Sequence, residues 1–156
     1  MKKLFYLFVV AFAATNLYSQ AFLEFAAGGI NDNYDGSKLY FTDVGISYKL
    51  FNEKLMLSGI YTSNYYQKYI RKSNIYSLEI SPRLFNIDKF SLYLPINVGY
   101  WEKVNKDNDI KKGTKGSLGL KAEYGINKDA ILLIGGGISA GFEGMIYAKL
   151  GVMFKL

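Results

Sequence analysis

Cysteine and histidine are absent from the 156 residues, and proline occurs only twice. Without cysteine there is no disulfide, no thiolate ligand and no lipidated N-terminal cysteine. Without histidine the usual soft metal sites are missing, and so is the serine–histidine or histidine–aspartate machinery of acyl transfer and proteolysis. Long apolar runs are missing too. The longest, Leu4 to Ala14, falls well short of the roughly 20 residues a spanning helix needs. The formal charge of +6 is modest, and the bases are not gathered on the clustered basic face that nucleic-acid binding requires. No repeat with a period of about 20–50 residues appears. Neither a cofactor nor an enzymatic activity is expected.

Lys2 and Lys3, the apolar run Leu4 to Ala14, and a more polar exit with the small residues Ser19 and Ala21 have the three parts of a secretory signal. The sequence therefore predicts a cleavable signal peptide over 1–19, with cleavage after Ser19 or after Ala21. That leaves 20–156 as one domain.

Tyrosine (14) and phenylalanine (11) are abundant in this chain, a β-favouring composition. Mean hydropathy near zero fits apolar and polar residues taking turns rather than apolar blocks. The alternation is clearest in four segments. Tyr76, Leu78, Ile80 and Leu84 share a face against Ser77, Glu79, Ser81 and Arg83. Phe90, Leu92, Leu94, Ile96, Val98 and Tyr100 oppose Ser91, Tyr93, Asn97, Gly99 and Trp101. From Gly116, Leu118, Leu120, Ala122, Tyr124 and Ile126 oppose Ser117, Gly119, Lys121, Glu123 and Gly125. At the end, Ile146, Ala148, Leu150, Val152, Phe154 and Leu156 oppose Tyr147, Lys149, Gly151, Met153 and Lys155. Weaker strands are predicted over 21–30, 39–51, 55–66 and 130–142. The last of these is apolar on both faces at its start and its register is open.

The connections alternate in length. Asn52-Glu53, Asn86-Ile87-Asp88 and Asn127-Lys128-Asp129 are tight turns. Longer links are expected over 31–37, 67–73 and 105–115, and a short one around Glu143-Gly144. Pro82 and Pro95 fall inside adjacent strands, where each removes a ladder hydrogen bond, so a bulge or bend is expected there. The fold class that follows is all-β: an eight-stranded antiparallel up-and-down transmembrane barrel, since a bilayer admits only helices or closed sheets.

The terminal pattern Lys149-x-Gly151-x-x-Phe154-x-Leu156 resembles the assembly signal of outer-membrane barrels. With the leader and the strand count, the chain is similar to small eight-stranded outer-membrane barrels of the kind abundant in Bacteroidota, although their frequent terminal aromatic is replaced by Leu156. The resemblance implies the outer membrane of a Gram-negative bacterium. It also implies insertion by the outer-membrane assembly machinery and periplasmic termini, but no particular activity.

The more polar face is expected to point inward and to carry a charge network of Glu24, Asp43, Glu79, Glu123 and Glu143 against Lys49, Arg83, Lys121, Lys149 and Lys155. Glu79, Lys121 and Glu123 are expected near one height. Eight strands leave room for little beyond side chains, so a filled interior is expected. Inward Gly45, Gly99, Gly119 and Gly135 would make space for Tyr93 and Trp101. Aromatics near strand ends suit interfacial girdles, with Tyr48, Phe85 and Tyr124 low and Tyr40, Tyr65, Tyr76 and Tyr100 high.

In the loops, Lys68, Arg71 and Lys72 form one basic group, and Lys103, Lys106, Lys111, Lys112 and Lys115 another, facing lipopolysaccharide phosphates. Asn31-x-Asn33-x-Asp35-Gly36 is similar to the opening of a calcium loop, but it lacks the first aspartate and, at Thr42, the closing glutamate. No metal is expected there. The function expected is that of a monomeric outer-membrane protein with a structural or surface-contact role, its partners being membrane lipids, lipopolysaccharide and the assembly machinery. The alternatives are a minimal pore for ions or very small solutes and a secreted lipocalin-like carrier of inverted polarity.

Overall fold

The computed structural model describes residues 20–32, 38–65, 70–105, 108–141 and 145–156. The predicted leader, the segment resembling a calcium loop at 33–37, Lys68, Lys106 and Glu143 lie outside them.

Every described element is a strand: β1 (Gln20–Asp32), β2 (Lys38–Leu50), β3 (Leu55–Tyr65), β4 (Ile70–Ile87), β5 (Phe90–Tyr93), β6 (Ile96–Asn105), β7 (Ile110–Gly125), β8 (Ala130–Ala140) and β9 (Met145–Lys155). All pairings are antiparallel, β4–β6 and β5–β7 skip one strand in the chain, and β1 pairs with β9, so the sheet closes on itself with no free edge. β5 and β6 are two halves of one stave, both paired with β4 and β7. The barrel thus has eight staves, as the alternation predicts.

The break in the fifth stave falls at Leu94-Pro95, and β4 shifts register between Arg83 and Phe85 beside it. Proline cannot donate to the ladder, but its carbonyl still accepts. Leu94 N–H donates to the Pro82 carbonyl at 3.0 Å and Gly119 N–H to that of Pro95 at 3.1 Å, which holds the irregular patch closed.

The tight turns lie at the end that also holds Gln20, where β1 starts, and Leu156. Residues 51–53 have φ between 53° and 65°, the left-handed region that Asn52 tolerates well. Asn127 Oδ1 accepts the N–H groups of Asp129 and Ala130, both at 2.8 Å, and so fixes the third turn. The second turn is narrower than expected, because β4 runs through Ile87 and only Asp88 and Lys89 turn. At the opposite end the strands run further than the sequence suggests. Ile70 to Ser73 and Ile110 to Lys115, expected as loop, are strand. Polar side chains there hide the alternation.

The faces divide cleanly. Leu78, Val98, Ile134, Ile138 and Leu150 point outward and are 69%, 62%, 56%, 61% and 56% exposed. Glu24, Lys121 and Glu123 are almost wholly buried inside.

Candidate functional site

The interior holds three layers. Nearest the turns, Phe22, Met56, Tyr93, Leu133 and Met153 form a buried apolar cluster, which Ala26 joins from higher on β1 and against which Ile131 packs. This layer is not legible in the strand pattern, where Met153 stands among polar residues. It explains why β8 starts apolar on both faces: Ile131 and Leu133 fill the interior while Leu132 and Ile134 face out. Lys49 lies over the Phe22 and Tyr93 rings, at 5.1 and 5.7 Å from their centroids. Its ammonium meets Glu123 Oε2 at 2.7 Å. The other Glu123 carboxylate oxygen is buried without a partner among the described residues.

The middle layer is a continuous network. Lys121 Nζ bridges Glu79 Oε1 at 2.5 Å and Glu24 Oε2 at 3.5 Å. Lys149 Nζ bridges Glu24 Oε1 and Asp43 Oδ2, both at 3.1 Å. Hydroxyls complete the carboxylates. Ser47 donates to Glu24 at 3.1 Å and lies 2.8 Å from the Ser58 hydroxyl. Thr62 donates to Asp43 at 2.6 Å, and Ser81 to Glu79 at 3.0 Å. These side chains come from β1, β2, β3, β4, β7 and β9, so the network ties most of the circumference together. Buried ions need such partners, because a stranded one costs about 3–5 kcal/mol.

Seven of the ten residues predicted for the interior network meet there: Glu24, Asp43, Lys49, Glu79, Lys121, Glu123 and Lys149. Glu79 and Glu123 do not share a height, since Glu123 pairs with Lys49 one layer nearer the turns. Arg83 stands at the turn-end rim, where Nη1 lies 3.8 Å from Glu53 Oε2. Lys155 is exposed, because β9 has reached the barrel's end. The serines and threonine are the residues missed by a search for charges alone. Their recurrence on the charged face of each strand was the available signal.

Above the network, toward the longer connections, lies a cavity of about 50 Å3. Its wall includes Asp43, Glu79, Asn97, Lys115, Ser117 and Tyr147. Lys115 therefore belongs to the interior rather than to a loop. Lys111 and Lys112 are exposed but sit on β7, and Arg71 and Lys72 lie on β4. Lys112 Nζ meets Glu102 at 3.3 Å.

The predicted glycine pockets serve other residues. A Cβ on Gly45 would meet Ile60, on Gly99 Ser77, on Gly119 Tyr147 and on Gly135 Lys149. Trp101 lies against Gly113 instead, with Nε1 3.2 Å from the Thr114 and Gly141 carbonyls. Outside, Tyr40, Tyr76, Tyr100, Tyr124 and Phe85 are exposed, and Tyr61, absent from the expected girdle, packs on Tyr76 at 5.3 Å and donates to Asn74. Of the terminal pattern, Phe154 and Leu156 are exposed. Gly151 lets β1 approach at Phe25 and Ala26, and Lys149 is a network residue.

Among the described residues no three His, Cys, Asp or Glu side chains converge as metal ligands. No protein-family model and no curated protein matches the sequence. Solved structures do match in fold. Neisserial surface protein A superposes with a TM-score of 0.65 at 14% identity, over 88% of this chain and 97% of that one. The N-terminal barrel domain of Pseudomonas aeruginosa OprF gives 0.63 at 20% identity, over 88% and 99%. Ail of Yersinia pestis gives 0.58 at 14% identity, over 88% and 97%. The chain therefore has the fold of small outer-membrane β-barrels.

Proposed function

We propose that the protein is an integral outer-membrane barrel, closed to solutes, with a structural or surface-contact role. The observation that carries this reading is the inversion of polarity: a continuous apolar belt outside and paired charges inside. In water such a belt would be an exposed patch far larger than soluble monomers show. A lipocalin-like carrier needs the opposite arrangement. Cell fractionation tests the location. Recovery in the detergent-extracted outer membrane is the expected result, and recovery in the soluble periplasm overturns the reading.

Closure rests on the two filled layers. Tyr93, Met56, Leu133 and Met153 leave no exposed surface at the turn end, and the network occupies the level above. A minimal pore is the rival reading, and steady conductance in a planar bilayer would establish it. Export through the 1–19 leader belongs to the same proposal. The mature N-terminus is then expected at Gln20 or Phe22.

Surface contact is assigned to the protruding β6–β7 hairpin. Lys111 and Lys112 are exposed there, and Lys103 lies directly opposite Lys111. Lys103 Nζ also lies over the Trp101 ring, 5.7 Å from its centroid, and together the three ammonium groups concentrate positive charge on one hairpin. The structurally similar Ail has been seen in complex with a heparin analogue, sucrose octasulfate. Here the anions proposed are lipopolysaccharide phosphates, met by charge-assisted hydrogen bonds.

A further inference from the structure

The middle layer is not neutral by itself. Glu24, Asp43 and Glu79 are three carboxylates, whereas the ammonium groups in contact with them are two, Lys121 and Lys149. The missing charge stands across the cavity. Lys115 lines its far wall, and no carboxylate among the described residues lies within ion-pair distance of its ammonium. Asp43, Glu79 and Lys149 line the same cavity.

The rest of the wall is rich in oxygen. Thr62, Ser117, Ser139 and Tyr147 contribute hydroxyls. Asn97 is 7% exposed, and its Oδ1 is buried with no hydrogen-bond partner among the described residues. A buried acceptor left unsatisfied costs about 1–3 kcal/mol, so it calls for a donor or a cation in the cavity. The volume holds about three to five waters at ~10–15 Å3 each, enough to hydrate one small ion.

We propose that this cavity is a monovalent-cation site whose resident cation is the tethered ammonium of Lys115, joined through water to Asp43 and Glu79. The layer is neutral only while that ammonium is in place. Removing it leaves a net negative, oxygen-lined chamber that takes up a free monovalent cation from solution. The proposal concerns the interior alone and does not depend on the membrane in which the barrel resides.

The test uses the protein refolded in detergent micelles, with urea unfolding followed in sodium chloride and in N-methylglucamine chloride at equal ionic strength. Wild type is expected to unfold at the same urea concentration in both. Lys115→Met is expected to be more stable in sodium, its folding equilibrium shifted by about tenfold when the ion is near nine times its dissociation constant. The double variant Lys115→Met with Asp43→Asn restores neutrality and is expected to lose the preference for sodium. Equal behaviour of Lys115→Met in the two salts, including failure to fold in both, overturns the proposal. So does a sodium preference that survives in the double variant, because the ion would then bind elsewhere.

Discussion

Lys121 Nζ lies 2.5 Å from Glu79 Oε1, with the two side chains 1% and 5% exposed. β7 and β4 are not paired at this level; the fifth stave stands between them, so the contact crosses the interior. Lys121 also reaches Glu24, which Lys149 shares. Alanine at Lys121 therefore leaves two carboxylates short of a partner, whereas alanine at Glu79 leaves Lys121 with Glu24. Each single change is expected to cost about 3–5 kcal/mol, with Lys121→Ala the more costly. The double variant is expected to fall short of the sum by about 0.5–3 kcal/mol in a urea titration. Full additivity would show that the pair does not interact.

Depth should grade the cost of charge on the outer face. Leu120 is 51% exposed on the middle of the wall, and Ile87 is 64% exposed at the turn end of β4. In lipid vesicles Leu120→Arg is expected to cost about 2–4 kcal/mol and Ile87→Arg about 0–1 kcal/mol. Equal costs would contradict the placement of the belt.

Trp101 is the only tryptophan, so its fluorescence reports one place. A Cβ at Gly113 would stand 2.6 Å from its Cζ2, too near for the ring to remain. Gly113→Val is expected to shift the emission to longer wavelength as the indole is driven toward solvent. Overpacking of this kind typically costs about 1–3 kcal/mol. Unchanged emission would place the ring elsewhere.

The apolar layer should behave as a core. Leu133 has no exposed surface and packs in the cluster that contains Tyr93 and Met153. Leu133→Ala is expected to destabilise by about 2–5 kcal/mol, and the volume-conserving Leu133→Met by less than about 1.5 kcal/mol. Chemical unfolding in micelles gives both numbers. A negligible cost for alanine would mean that the layer is loose.

The stave count and the inward parity of the clearly alternating strands were legible because one face is apolar and the other polar. A period of two records that difference along the strand. It failed where both faces are polar. Ile110 to Lys115 carries exposed Lys111 and Lys112 on opposite sides of a projecting hairpin and Lys115 on the inner side, and so reads as loop. It failed also where both faces are apolar, as at Ile131 to Ile134, because an interior apolar layer erases the contrast. The charged members of the site showed through as unusual residues on an inward face. Which acid meets which base was hidden, because Lys49–Glu123 and Lys121–Glu79 depend on side-chain reach across the lumen rather than on strand register.

What touches the outward leucines separates a membrane-spanning barrel from a soluble one. The chain has no native cysteine, so a single nitroxide placed by cysteine substitution at Leu78, Leu120 or Leu150 reports one position. After reconstitution in liposomes, collision with dissolved oxygen is expected to exceed collision with a water-soluble nickel chelate at all three, with the reverse order at Lys128 in the turn. Nickel collisions dominating at Leu120 and Leu150 would place those faces in water and contradict the membrane-spanning barrel.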